Sequence, residues 1–180
     1  MLGIGLKRRA AWAGGLLLAA ALVPATVDAG QAVEHDFFAT YSGQYQEVAT
    51  HECGAGEQAN LVLGEGVGRF IGHYDLRIEA CAAPTSPLTG TVVGTADYVA
   101  ANGDQLTFGF AGDYSVDLDA GTIVASLPAT SVAGTGRFAH VELGDSGGMA
   151  VDTNPIGSDV SYGYVYGALV FDASDRAPAP

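Results

Sequence analysis

The clearest fold signal in the chain is GTVVGTADYVAANGDQLTFGFAGDYSV, residues 90–116. It contains two runs rich in Val, Thr, Tyr and Phe, which are residues that β-strands favour. Asn102-Gly103 lies between the runs, and this dipeptide in such a position is the strongest short-range signal for a β-hairpin. The stretch therefore predicts two antiparallel strands, over about 90–101 and 104–116.

The rest of the chain after residue 30 repeats this pattern of short β-rich runs separated by turn signals, and no helical period is sustained there. Regular spacing of this kind is typical of an all-β barrel or sandwich. Glycine is abundant even inside the runs, where it usually marks a bulge or a tight bend at a barrel corner. The expected strands lie at about 36–50, 58–64, 69–80, 90–101, 104–116, 122–132, 138–151 and 160–172.

The first 29 residues have the pattern of a secretory signal peptide. Lys7, Arg8 and Arg9 form a basic start, an apolar run covers residues 10–23, and Val27-Asp28-Ala29 is a cleavage signal. An apolar run of about 14 residues is too short to cross the roughly 30 Å of a bilayer core. We therefore expect a secreted or periplasmic protein with no membrane span after cleavage.

The remaining chain is long enough for one domain, which we place at residues 30–172, followed by a disordered tail at 173–180. Residues 31–180 carry four arginines and no lysine against 19 acidic residues. A surface of this charge repels phosphate groups. The composition therefore excludes nucleic acid as a partner.

The two cysteines predict a disulfide, because an exported chain matures in an oxidising compartment. Cys53 and Cys81 are equidistant from Val67, which lies in the glycine-rich run 64–68. A hairpin turning at Val67 would bring the two cysteines opposite each other. A catalytic or metal-binding thiol is the alternative, but only His51 and Glu52 lie beside Cys53 and no second ligand pair is present. We expect neither a metal nor a cofactor.

The run Gly144-Asp145-Ser146-Gly147-Gly148 spells GDSGG, the nucleophile motif of chymotrypsin-like serine proteases. His51, Asp97 and Ser146 also follow that family's order along the chain. Against this interpretation, the chain is short for two six-stranded barrels, and Met149 replaces the family's usual proline. The alternative is a glycine-rich turn between two strands, and a serine protease is kept only as a remote alternative function.

Two further runs are distinctive: AANGDQL at residues 100–106 and VAGTGRFA at residues 132–139. The second echoes an earlier turn, GVGRF at 66–70, and in each copy Arg-Phe is expected to begin the next strand. Together these runs resemble the bacterial branch of the allene oxide cyclase barrel-like and dirigent-like proteins, over most of residues 45–172. The resemblance implies an eight-stranded antiparallel β-barrel that often self-associates and binds an apolar substrate in its lumen.

The same resemblance implies that the substrate, apolar or polyunsaturated, is cyclised, isomerised or guided in a coupling without a cofactor. The plant enzymes' catalytic residues cannot be matched onto this chain, so none is carried over. The alternative is a non-catalytic barrel that binds a small apolar ligand or supports an extracellular assembly. A wide lumen with one or two unpaired polar groups would favour catalysis, and a lumen closed by apolar side chains would favour the alternative.

The strand alternation predicts which side chains line the lumen. One face of the third strand carries Tyr74, Leu76 and Ile78, and one face of the fifth carries Leu106, Phe108 and Phe110. These apolar sets are expected to point inward. Among them we take Tyr74, Phe108 and Phe110 as candidate ligand-binding residues.

The length of the hairpin loop at Asn102-Gly103 decides whether Asp97 or Tyr98 faces the lumen as a further candidate. A two-residue loop places Asp97 opposite Phe108 and inside the barrel, because directly opposed side chains share a face. Burial there would raise the pKa of Asp97 and make it a candidate general acid. A three-residue loop sends Asp97 to solvent and turns Tyr98 inward as a ligand-binding candidate.

The last strand carries Tyr162, Tyr164 and Tyr166 on one face. Three phenols could line a pocket, stack on a conjugated ligand and donate hydrogen bonds, so they are also candidate ligand-binding residues. The alternative is an aromatic stripe on the barrel exterior or in an interface between copies of the chain.

Overall fold

The computed structural model describes residues 32–48 and 53–171. Eight strands form a closed antiparallel barrel in which each strand pairs with its neighbours in sequence and the last pairs with the first. The predicted all-β, eight-stranded barrel is confirmed. The proposed signal peptide at 1–29, the tail at 173–180 and His51 lie outside the described residues.

The strands are long, and their pairing leaves no open edge. Their bounds are β1 (Val33–Glu47), β2 (Gln58–Gly68), β3 (Gly72–Ser86), β4 (Thr89–Ala100), β5 (Gln105–Asp117), β6 (Thr122–Gly134), β7 (Glu142–Pro155) and β8 (Val160–Phe171). A short 3-10 helix, Gly136–Phe138, precedes β7. The turns after β2, β4 and β6 lie at one end of the barrel, here called the closed end. The turns after β3, β5 and β7, and the end of β1, lie at the other, the open end.

Each strand sends alternate side chains into the barrel, as the two-residue period of a strand requires. In β3 the apolar set is buried and the polar set between its members is exposed. The predicted division of this strand is confirmed, with Tyr74, Leu76 and Ile78 inside and His73, Asp75, Arg77 and Glu79 outside. The lumen therefore contains the core of the molecule.

The hairpin between β4 and β5 has the three-residue loop. Ala100 donates its backbone N–H to the carbonyl of Asp104 at 2.9 Å, and Gly103 adopts a positive φ of 87° between them. Glycine supplies this left-handed conformation without steric cost, as three-residue hairpin loops require. As a result Tyr98 pairs with Leu106 and faces the lumen, while Asp97 pairs with Thr107 and lies outside.

The hairpin between β2 and β3 carries the disulfide. Cys53 and Cys81 are bonded, with their Cα atoms 5.6 Å apart, so the predicted disulfide is confirmed. The turn is not at Val67, however, because β2 continues through the glycine-rich run to Gly68 and turns at Phe70. Cys81 is therefore opposite Ala59, and Cys53 reaches it from the segment before β2.

In both Gly-x-Gly-Arg-Phe runs the Arg-Phe pair follows the end of a strand and lies at the closed end, so the expectation that Arg-Phe begins a strand is wrong. Phe70 lies in the β2–β3 turn with a φ of 71°, and Phe138 ends the 3-10 helix. In each copy the guanidinium lies over the adjacent ring, at 5.3 Å for Arg69 and 4.8 Å for Arg137. Arg137 also donates to the carbonyl of Ile71 at 3.0 Å, which joins the two turns.

Candidate functional site

The closed half of the lumen is filled by an aromatic layer consisting of Phe37, Tyr74, Tyr98 and Phe108. The ring centroids of Tyr74 and Tyr98 are 5.0 Å apart, those of Tyr98 and Phe108 are 5.6 Å apart, and those of Phe37 and Phe108 are 5.7 Å apart. All four residues are buried. Tyr74 and Phe108 thus point inward as predicted, and Tyr98 does so because the hairpin has the three-residue loop. The rings contact one another and leave no room for a ligand between them.

Interior glycines make space for the aromatic rings of the lumen. The ring of Tyr74 lies over Gly66, where an added Cβ would be 2.5 Å from Cζ of the ring. The ring of Tyr41 lies over Gly163 in the same way, at 2.6 Å. The pairing recurs for Tyr114 over Gly90 and Phe110 over Gly94. The abundance of glycine inside the strands is therefore largely a packing requirement, and it covers more than the bulges and bends expected from the sequence.

The open half of the lumen is a cavity of about 520 Å³, within the size range of small-molecule sites. Its walls are mostly apolar, and the predicted ligand-binding residue Phe110 is one of them. Other apolar wall residues are Val62, Ile78, Val92, Ile123 and Leu127. The polar side chains reaching the cavity include Tyr45, Asn60, Tyr114, Asp152 and Asn154. This region has the room for a ligand that the aromatic layer lacks.

Asp152 is the most deeply buried carboxyl group of the cavity wall. Its Oδ1 accepts hydrogen bonds from the hydroxyls of Tyr41 at 2.8 Å and Ser161 at 2.5 Å. Burial raises the pKa of this carboxyl above its usual range, although its hydrogen-bond donors oppose the shift. A carboxyl group held in this way stays protonated to a higher pH than an exposed one.

The hydrogen bond from the Tyr41 hydroxyl to Asp152 depends on the strand register. Tyr41 in β1 is opposite Gly163 in β8, which is in turn opposite Asp152 in β7. Because Gly163 has no side chain, the Tyr41 ring passes over it to the carboxyl two strands away. Burial, followed by the proximity of Asp152, raises the pKa of Tyr41, so its hydroxyl remains a proton-bearing donor.

Asn154 lies next to Asp152 on the inner face of β7, and the two residues are here called the acid–amide pair. The Asn154 Nδ2 donates to Asp152 Oδ2 at 3.2 Å. Its Oδ1 is buried and has no hydrogen-bond partner within the part of the chain that the structure describes. Buried polar atoms are nearly always paired, so an unpaired acceptor at a cavity wall suits a ligand's donor.

A second polar pair, on β1 and β2, also lines the cavity. The Tyr45 hydroxyl donates to Asn60 Oδ1 at 2.6 Å, and both side chains line the cavity. Burial, followed by the charge of Glu47, raises the pKa of Tyr45. The Tyr45 hydroxyl and the Asn60 amide oxygen already hydrogen-bond to each other, whereas Asn154 Oδ1 has no partner among the described residues. The acid–amide pair is therefore the stronger candidate for a hydrogen bond to a ligand.

The candidate general acid Asp97 lies outside the lumen, because the three-residue loop sets the parity of β4. It is half-buried on the outer face, where it accepts a hydrogen bond from Thr107 Oγ1 at 2.6 Å and is opposite Arg77 in β3. The inward placement that made Asp97 a candidate is therefore wrong, and Asp152 is the lumen carboxyl whose pKa burial raises.

The tyrosines of β8 also point away from the lumen. Tyr162, Tyr164 and Tyr166, here called the outer tyrosine row, are 43–46% exposed, and Tyr166 is opposite the exposed Phe38 of β1. The prediction that these three residues line a pocket in the lumen is wrong. The alternative of an exterior aromatic stripe is the one observed.

The GDSGG run forms an irregularity inside β7. Pairing with β8 is interrupted between Leu143 and Gly148, and Gly147 has a φ of 63°. The motif is thus a bulge within one strand and not the turn between strands expected from the sequence. Ser146 is exposed on a single eight-stranded barrel, which is unlike the two-barrel arrangement of chymotrypsin-like proteases.

The thiols form no metal centre. Among the described residues, Cys53, Glu57 and Cys81 have ligand atoms within 4.8 Å of one another. Both sulfurs of this group are joined in the disulfide, so they are not available as thiolate ligands.

The acid–amide pair is absent from the sequence-based candidates because the predicted seventh strand ends at Val151. In the structure β7 continues to Pro155. Asp, Asn and Pro are depleted in strands, so local propensity places a strand end there. A signal was nevertheless present: Ala150, Asp152 and Asn154 share the parity of an inner face, and polar residues with that parity indicate a site in a lumen.

Comparisons of this chain with protein-family models, with curated proteins and with solved structures found no match. Within residues 32–48 and 53–171, no helix is long and apolar enough to cross a membrane.

Proposed function

We propose that this protein binds a small, largely apolar molecule in the open half of its lumen and catalyses a cofactor-free isomerisation or cyclisation there. The observation that carries the proposal is the cavity of about 520 Å³ with the buried carboxyl of Asp152 in its wall. The proposed activity agrees with the one that the resemblance to allene oxide cyclase-like proteins implies, although the proposed acid comes from the structure.

The chemistry needs positioning and one proton donor. Tyr41 and Ser161 both donate to Oδ1 of Asp152, so the proton of the neutral acid lies on Oδ2, beside Asn154. Transfer of that proton to a substrate leaves a carboxylate, and the same carboxylate takes a proton back from a neighbouring substrate carbon. The exchange is balanced without a cofactor, and rigid apolar walls supply the orientation.

The compartment is part of the proposal. A disulfide is expected in a protein that folds in an oxidising environment, and the Cys53–Cys81 bond agrees with that. We therefore propose that the barrel acts as a secreted or periplasmic protein after removal of the signal peptide.

The test uses Prodan, a neutral naphthyl ketone dye whose emission changes in an apolar site. Wild-type protein is expected to bind the dye with saturable, blue-shifted fluorescence. Val92→Phe places a ring in the cavity and should weaken binding at least about tenfold, because a cavity-filling side chain excludes the ligand. The matched control is Val93→Phe, at the neighbouring exposed position of the same strand, which should bind as wild type does. Absent binding, or equal effects of the two variants, would contradict the proposal.

A second candidate function is a non-catalytic barrel that assembles with further copies of itself. The outer tyrosine row favours it, because contiguous exposed aromatic side chains commonly mark interfaces. Sedimentation velocity of wild type and of a Tyr162→Thr, Tyr164→Thr, Tyr166→Thr variant tests it. A wild-type oligomer that the variant converts to monomer supports assembly, and a monomeric wild type rejects it.

A further inference from the structure

The described part of the cavity wall has acidic side chains and no basic ones. Glu47 and Asp152 line it, and none of its described lining residues is Lys, Arg or His. The three arginines in the described part of the chain are elsewhere: Arg77 is exposed on the outer face of β3, and Arg69 and Arg137 lie at the closed end. A ligand carboxylate would therefore meet like charge and no counter-charge, which disfavours its ionised form.

The acid–amide pair offers one donor and one acceptor side by side. The Asn154 Oδ1 is the unpaired acceptor. Burial favours the neutral form of Asp152, and in that form the donor is a proton on Oδ2, because Oδ1 already accepts from two hydroxyls. A single ligand hydroxyl can donate to the amide oxygen and accept from the acid, so one atom satisfies both groups.

We propose that the cavity selects an uncharged apolar alcohol, whose hydroxyl lies between Asp152 and Asn154, and rejects the matching carboxylate. This inference rests on the proposed function, since it assigns the head group of the molecule bound at the same site. The apolar walls contributed by Val62, Ile78, Val92 and Phe110 hold the hydrocarbon part.

A cationic amine is the closest competitor, because it would pair with an ionised Asp152. Such a ligand must leave water for a mainly apolar cavity, and the carboxyl must lose its proton in a buried position, which is costly for both groups. Burial shifts Asp152 toward its neutral form, although its hydrogen-bond donors oppose the shift, so the uncharged head group is the better fit. Preferred binding of the cationic amine is therefore one of the outcomes that the test distinguishes.

The test is displacement of bound Prodan at neutral pH by four ligands with one tail: decanol, decyl methyl ether, decanoate and decylamine. Decanol should displace the dye at concentrations at least about tenfold lower than decanoate. It should also surpass the ether about tenfold, because the ether accepts a hydrogen bond but cannot donate to Asn154, and a buried acceptor left unpaired is costly.

The matched variants are Asn154→Leu and Thr153→Leu, at neighbouring positions on the inner and outer faces of β7. Asn154→Leu should abolish the preference for the alcohol over the ether while Prodan still binds. Thr153→Leu should keep that preference. Thermal melts of both variants establish that they are folded, and the ranking of the four ligands on wild type does not depend on either variant.

The outcomes separate this inference from the function on which it rests. If Prodan binds and the four ligands compete equally, or decylamine or decanoate competes best, the head-group assignment is overturned while the cavity remains a binding site. If Prodan does not bind at all, both are overturned.

Discussion

The two halves of the lumen are built from the same eight strands but differ in what fills them. In the closed half, Phe37, Tyr74, Tyr98 and Phe108 fill the barrel with rings in mutual contact. In the open half, Asp152 and Asn154 line a cavity of about 520 Å³. The difference shows that packing density and polar chemistry are separated along the barrel axis.

This separation has a physical basis. A buried carboxyl and an unpaired amide oxygen both cost stability, and a filled aromatic half can offset that cost. The acid–amide pair lies on β7, a strand that runs through both halves and not a loop. The rigid closed half therefore also fixes the position of the pair. If this is correct, substitutions in the two halves should affect stability and binding differently.

Phe108→Ala should lower the free energy of unfolding by about 3–5 kcal/mol, because it opens a void in the aromatic layer. Tyr114→Ala, in the wall of the cavity, should cost less than half as much, since Tyr114 is only partly buried. Urea denaturation of both variants measures the difference. Equal losses would mean that the two halves contribute alike to stability.

Removing the disulfide by Cys53→Ser with Cys81→Ser should cost about 3 kcal/mol, because the cross-link closes a chain segment with a sequence separation of 28. The bond tethers the segment before β2 to β3, and the aromatic layer does not depend on it. The near-UV circular dichroism of the folded variant should therefore match that of wild type. Loss of this signal in the absence of denaturant would show that the halves are not independent.

Gly163→Ala should destabilise the protein by about 1–3 kcal/mol, since an added methyl group would lie 2.4 Å from the carbonyl oxygen of Val151 and 2.6 Å from the Tyr41 ring. Displacing Tyr41 removes a donor from Asp152, so Prodan binding should change as well. Ser42→Ala is the control, at an exposed position of β1, and should stay within about 0.5 kcal/mol of wild type. If Gly163→Ala behaves like Ser42→Ala, Tyr41 is not held over Gly163.

Asp152→Asn should become more stable relative to wild type as the pH rises. The pKa of Asp152 is raised in the folded state, so its contribution to stability is complete below the unfolded value of about 3.9 and is lost as the pH rises through the folded value. Urea denaturation of wild type and variant from acid to neutral pH measures the difference. Asp113→Asn, an exposed site in β5, controls for the loss of one acidic charge. A difference independent of pH would contradict the raised pKa.

Much of the architecture followed from local sequence signals. The alternation in β3 and β5 predicts the inward sets that the structure contains, and the cysteine count predicts the disulfide. Loop length was beyond local signals, because Asn102-Gly103 fits loops of two or three residues. That single residue reverses the faces of Asp97 and Tyr98, since a strand has a period of two.

The candidate site was the harder part. Asp152 and Asn154 follow a region whose composition predicts a strand end, and only closure of the barrel by neighbouring β6 and β8 extends β7 over them. The outer tyrosine row has the same alternation as a lumen-facing set. Its direction depends on register with β1 and β7, which is a long-range property.

The most direct test of the central claim is a methyl NMR titration of alanine-labelled protein with Prodan. Ala80, Ala82 and Ala125 line the cavity, whereas Ala39, Ala96 and Ala100 are buried in the core outside it. We expect large, saturable shifts of the first three methyl signals and little change in the other three. Equal shifts in both sets, or none in the first, would contradict the division of the lumen into a packed half and a binding half.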